Sequence, residues 1–135
     1  MNGKPQVMVV DDDLSMCNFL RTFLAQRGYQ AVTFGSAEEA VKRYNVERPA
    51  AVILDVVMPG PMDGLEVLAA FRKIDREVPV IVLSGQGRTT TVVQAMKLGA
   101  FDFLTKPIQP EALFAAIERA LTDLAAEDEV ASAVA

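Results

Sequence analysis

Ala51-Val52-Ile53-Leu54-Asp55-Val56-Val57-Met58-Pro59-Gly60-Pro61-Met62-Asp63-Gly64 is the stretch whose reading decides the fold. The apolar run Ala51–Leu54 stops at Asp55, and a breaker cluster, Pro59-Gly60-Pro61, follows after Val56, Val57 and Met58. A short apolar run bounded by turn residues reads as a strand buried on both faces. In an open parallel sheet, ligands bind just beyond the carboxyl ends of such strands. Asp55 stands at that place, and a buried charge without a partner is costly. The rest of the chain has to supply the partners.

Upstream, Val7–Val10 reads as a strand running into Asp11-Asp12-Asp13. Leu14–Arg27 has helical apolar spacing, with Asp12 or Asp13 as cap and Gly28 as stop. Gln30–Phe34 is a second strand. Ser36 and Glu39 form a capping box that opens a helix ending before Pro49. Downstream, the pattern predicts a helix from Gly64 to Ile74, a strand over Pro79–Leu83 and a helix over Thr89–Leu98. A strand over Phe101–Leu104 and a last helix from Pro110 through Leu124 complete the chain. From Ala126 the pattern fades, so the expected organisation is one domain, 1–125, with 126–135 as tail or linker stub.

Strict alternation of five strands and five helices predicts an α/β fold, a doubly wound parallel sheet with helices on both faces. All strand C-termini then share one edge. Asp11-Asp12-Asp13, Asp55, Ser84 and Lys106 lie just past strands one, three, four and five, so topology brings them to a single rim.

Composition narrows the chemistry. The chain has 135 residues, 51% of them hydrophobic, and a net charge of −5. Direct nucleic-acid binding needs clustered Lys and Arg, which this balance does not favour. One cysteine, Cys17, allows no internal disulfide and fits a reducing, cytoplasmic setting. No apolar run approaches the ~20 residues of a membrane span. The N-terminus shows no signal-peptide core. There is no histidine, so a phosphohistidine or His base must come from another molecule.

Carboxylates crowded into one crevice repel unless a cation sits among them. Mg²⁺ prefers oxygen ligands and takes one or two carboxylates with a phosphate oxygen, whereas one Cys and no His argue against a transition metal. A carboxylate nucleophile, a divalent ion, a lysine and a hydroxyl donor make a phosphoryl-transfer site. Each feature alone has a plainer reading. Acidic residues favour helix N-termini, Ser84-Gly85 can be a turn, Lys106 a surface lysine, and Phe103 a packed strand residue. Asp63 and Gly64 read as a turn and a helix start, and Cys17 as a helix-face hydrophobe.

Val9-Val10-Asp11-Asp12, Leu54-Asp55 with Met58-Pro59 and Met62-Asp63-Gly64, Leu83-Ser84-Gly85 and Lys106-Pro107 together resemble the receiver domain of two-component response regulators. The resemblance covers residues 5–124. It implies a flavodoxin-like sheet in the order 2-1-3-4-5. It implies that Asp55 accepts a phosphoryl group from the phosphohistidine of a sensor histidine kinase or phosphotransfer protein, and slowly loses it to water. Asp12 is then the main side-chain ligand for Mg²⁺, with Asp11, Asp55 and the Val57 carbonyl also facing the metal. Ser84 and Lys106 bind phosphoryl oxygens, Ser84 and Phe103 act as the switch, and Val57 and Gln86 flank the attacking water. It implies a cis bond before Pro107. Pro61 is one residue more than the usual loop has, and Ser84 stands where Thr is commoner. Residues 95–103, Ala-Met-Lys-Leu-Gly-Ala-Phe-Asp-Phe, resemble receivers of the enhancer-binding transcription activators. A homodimer through the face of the fourth helix, fifth strand and fifth helix is a further expectation, with Arg88, Lys97, Glu118 and Arg119 as contacts.

Two other readings compete. Asp11-Asp12-Asp13 also fits the opening of haloacid-dehalogenase-like phosphatases, with Asp11 as nucleophile and Asp13 as acid/base. That reading lacks the later acidic ligands and leaves Asp55 idle. The second is a receiver-like interaction module that is never phosphorylated, whose usual mark is loss of an acceptor, acidic or lysine position; none is lost here.

Overall fold

Aliphatic runs of four or five residues pair into one parallel sheet in the computed structural model, which describes residues 4–57, 62–85 and 89–134, with side chains through residue 122. The elements are β1 (Gln6–Val10), α1 (Leu14–Gln26), β2 (Gln30–Phe34), α2 (Ala37–Glu47) and β3 (Ala51–Asp55). They continue with α3 (Gly64–Ile74), β4 (Val80–Ser84), α4 (Thr89–Lys97), β5 (Asp102–Thr105) and α5 (Pro110–Val134). The strand order is β2-β1-β3-β4-β5 and every pairing is parallel. The expected doubly wound, flavodoxin-like α/β fold is the observed one.

Strand side chains alternate between faces, and the core divides accordingly. Met8, Val10, Val52, Leu54, Val80 and Val82 pack with residues of α2, α3 and α4. Val7, Val9, Ile53, Ile81 and Leu83 pack with α1 and α5. Because β1, β3 and β4 are buried on both faces, their sequences are continuous apolar runs rather than alternating ones.

Boundaries follow local chemistry. Asp13 caps α1, accepting from the amides of Ser15 and Met16. Gly28 follows α1 at φ +90°, a conformation open to glycine. Ser36 caps α2 through the Glu39 amide. The complete capping box opens α3 instead: Asp63 accepts from the Glu66 amide, and the Glu66 side chain accepts from the Asp63 amide. Strands β4 and β5 each lie one residue later than expected. The Pro79 carbonyl still accepts from Val52, but Pro79 has no N–H to give to the ladder. Helix α5 runs on to Val134, through the segment where the apolar pattern fades. Arg88, Gln86 and the Pro59-Gly60-Pro61 loop lie outside the described residues.

The face between α2 and α3 holds a polar contact inside an apolar layer. Tyr44 is fully buried, packs on Phe71 at 4.9 Å between ring centroids, and donates to Asp75 Oδ2 at 3.1 Å. Asp75 Oδ1 accepts from the amides of Glu77 and Val78. Burial alone raises the Asp75 carboxyl; these donors and Arg48 outweigh it and hold the group below the usual carboxylate range.

Candidate functional site

Four strand ends form the rim. Strand β3 carries Asp55, 4% exposed, and the residue after β1 is Asp11, 0% exposed. Ser84 ends β4 at 1% exposure, and Lys106 follows β5. The register explains the meeting: Val10 pairs with Leu54, Asp55 with Leu83, and Ser84 with Thr105.

The Asp55 carboxylate is held at both oxygens. Oδ1 accepts from the Val57 amide at 2.9 Å and Oδ2 from Lys106 Nζ at 2.8 Å. Lys106 Nζ also lies 3.6 Å from Asp11 Oδ2. Asp11 Oδ1 accepts from the Asp13 amide at 3.0 Å. Its Oδ2 is the one buried side-chain oxygen or nitrogen without a hydrogen bond among the described residues. Burial pushes the Asp11 carboxyl up, and the charges of Asp55 and Asp12 add to this against the Asp13 amide and Lys106. Burial lowers the affinity of Lys106 for its proton, but the hydrogen bond to Asp55 and the charges of Asp55 and Asp11 prevail and raise it. The lysine is therefore charged at neutral pH.

One carboxylate oxygen from each of Asp11, Asp12 and Asp55 lies within 4.8 Å of the others. They line an open crevice of about 350 Å³ together with Asp13, Val57, Gly85 and Lys106. An all-oxygen donor set, with one buried oxygen that takes no hydrogen bond, suits a hard divalent cation. The structure thus brings together Asp11, Asp12, Asp55, Val57 and Lys106 in one crevice, while Ser84 stands at the end of the neighbouring strand and lines the groove beside α4. Gln86 falls outside the described residues. Phe103 stands half out of the surface, 40% exposed, on the α4 side of β5. Arg119, expected to face a partner, binds Asp102 at 2.6 Å within the chain.

Gly64, expected only as a helix start, also has a positioning role. A Cβ on Gly64 would fall 2.2 Å from Val56 Cα and 2.7 Å from its carbonyl carbon and oxygen. Gly64 N donates to the Val56 carbonyl at 3.2 Å. The start of α3 is pressed onto the backbone just past Asp55. The Lys106–Pro107 bond is cis.

The family model for the response regulator receiver domain matches residues 7–118. The chain belongs to the response regulator receiver family. Among curated relatives, the probable transcriptional regulator ycf27 of Guillardia theta is 39% identical over 121 residues, 90% of this chain and 47% of that protein. The nitrogen assimilation regulatory protein NtrX of Azorhizobium caulinodans is 36% identical over 125 residues, covering 92% of this chain and 28% of that protein. The solved receiver domain of NtrX from Brucella abortus superposes with a TM-score of 0.82 at 34% identity, covering 86% of this chain and 98% of that one. The chain spans half or less of the length of the curated relatives it matches. The receiver match also removes the phosphatase reading, in which Asp11 would be the nucleophile.

Proposed function

We propose that Asp55 accepts a phosphoryl group from the phosphohistidine of a sensor histidine kinase or phosphotransfer protein, and that this resets an interaction surface. The observation that carries the reading is the two-sided hold on the Asp55 carboxylate by the Val57 amide and Lys106. A restrained nucleophile beside a fixed cation is what phosphoryl transfer asks of a protein. An Asp55 oxygen–phosphorus bond forms as the donor's phosphorus–nitrogen bond breaks. The electron pair stays on the donor imidazole, which takes a proton from solvent. Lys106 neutralises charge on the phosphoryl oxygens, and the Ser84 hydroxyl donates to another. Asp11, Asp12, Asp55 and the Val57 carbonyl would hold Mg²⁺, which when bound offsets the charge of the transferring group. The chain modifies itself and turns over no separate substrate.

Ser84 and Phe103 then form the output route. Ser84 turning toward a phosphoryl oxygen frees space on the α4 side for the Phe103 ring. The altered face is that of α4, β5 and α5, where a second copy would dock in a homodimer. The reading implies a cytoplasmic protein, with no nucleic-acid or membrane contact by this domain, and residues 126–135 as tail or linker.

Intact-mass measurement with Mg²⁺ and a small phosphodonor tests the acceptor. Wild type gains one phosphoryl group and Asp55→Asn gains none; labelling of the mutant, or a label mapped to Asp11, overturns the assignment. The route is tested by NMR. Phosphorylation shifts resonances along residues 84–104, and these changes shrink in Ser84→Ala.

A further inference from the structure

We propose that the groove between α4 and β5 binds a small amphipathic carboxylate, with an apolar body and one anionic head. The groove holds about 620 Å³, inside the range of roughly 300–1,000 Å³ usual for small-molecule sites. Val92, Val93 and Met96 of α4 form one wall and Phe103 of β5 the other, with buried Ser84 at the inner end. Val93, Met96 and Phe103 leave large apolar surface in water. Among the described residues the lining has a single ionisable side chain, Lys97, and it has no ion-pair partner there. Asp102, next to Phe103, is engaged by Arg119. An apolar slot with one unmatched cation is complementary to a monocarboxylate, and a slender ligand reaches the inner end that a flat protein surface would only bridge.

Occupancy has a regulatory consequence. A ligand in the groove fills the space that the Phe103 ring needs in order to turn inward, so it opposes the phosphorylated state. By linkage, phosphorylation weakens ligand binding by the same factor. This coupling, unlike binding itself, rests on the reading of Asp55 as acceptor.

Octanoate is the probe, titrated into the ¹⁵N-labelled whole chain below its micelle threshold. Saturable shifts confined to Ser84, Gly85 and residues 89–105 are expected. Met96 and Lys97 are exposed, so substitutions there leave the fold intact. Met96→Glu should abolish the shifts. Lys97→Gln, or octanamide in place of octanoate, should weaken binding roughly two- to five-fold, the usual worth of an exposed ion pair. Scattered or non-saturating shifts, or shifts indifferent to Met96→Glu, overturn the site. Equal affinity for octanamide overturns the carboxylate. Self-association that Met96→Glu abolishes, with octanoate inert, assigns the groove to a second copy instead. In the phosphorylated chain octanoate should bind more weakly, and unchanged affinity overturns the coupling. If Asp55 takes no phosphoryl group, the acceptor reading fails while the titration of the unmodified chain still decides the groove.

Discussion

Gly64 and Val56 are in backbone contact: a methyl group on Gly64 would sit 2.2 Å from Val56 Cα. The seven intervening positions include the loop after Asp55, so this contact sets where the chain returns from the rim. Gly64→Ala must push Val56 away, and with it the Val57 amide that holds Asp55 Oδ1. We expect a stability loss of about 1–3 kcal/mol in urea unfolding, the usual cost of overpacking, together with slower phosphorylation. Stability within about 0.5 kcal/mol of wild type, the range of neutral surface changes, would show that the contact relaxes freely.

Tyr44→Phe removes one donor from Asp75 and nothing from the apolar layer. The expected cost at neutral pH is about 1.5–3 kcal/mol, that of a hydrogen bond to a charged acceptor. The sign with pH follows from the depressed Asp75 carboxyl. Its stabilisation is present above the unfolded-state value, near 3.8, and is lost as pH falls through the lower folded value. The gap between wild type and mutant should therefore narrow in strong acid. Urea unfolding across the acid range measures it; a gap that widens there contradicts the assignment.

Asp12→Ala should weaken Mg²⁺ binding, because a weak oxygen site loses one of three carboxylates. Ligand linkage makes this visible as stability: at a hundred times Kd, bound Mg²⁺ adds about 2.7 kcal/mol. Wild type should gain melting temperature across a Mg²⁺ titration that leaves Asp12→Ala nearly unmoved. The mutant without metal should be no less stable than wild type, since repulsion within the cluster falls. Equal Mg²⁺ responses would remove Asp12 from the site.

Val57 offers its backbone amide to Asp55 while its side chain, 46% exposed, faces the crevice. An apolar side chain there cannot orient water. Val57→Asn should therefore shorten the phosphoryl lifetime several-fold, or about 1 kcal/mol in barrier, with the hold on Asp55 unchanged. Decay followed by intact mass decides it, and an unchanged or longer lifetime counts against the idea.

The elements were legible because β1, β3 and β4 are buried on both faces and so read as unbroken apolar runs. The rim was legible because parallel topology alone gathers strand ends. Two other features leave no local mark because they depend on contacts distant in sequence. Nothing local at Tyr44 announces Asp75, 31 residues away, and nothing at Gly64 announces Val56. The Asp63–Glu66 capping box was there to be read in its spacing and was not. Ser36 and Glu39 have the same spacing, yet only the Ser36 half of that box forms.

The alternation that sorts strand residues into two helical layers also sorts the rim. Asp11 and Asp55 continue the odd-numbered rows of β1 and β3, whose inner members pack against α1 and α5. Ser84 continues the even-numbered row of β4, which packs against α2, α3 and α4, and it borders the α4 groove. Lys106 leaves β5 between them, and its amide donates to the Ser84 carbonyl at 2.7 Å while its ammonium holds Asp55. Along this edge residues of the two sides stand on neighbouring strands. On the reading of Asp55 as acceptor, a single covalent event there would have leverage on both compartments without any strand having to shift.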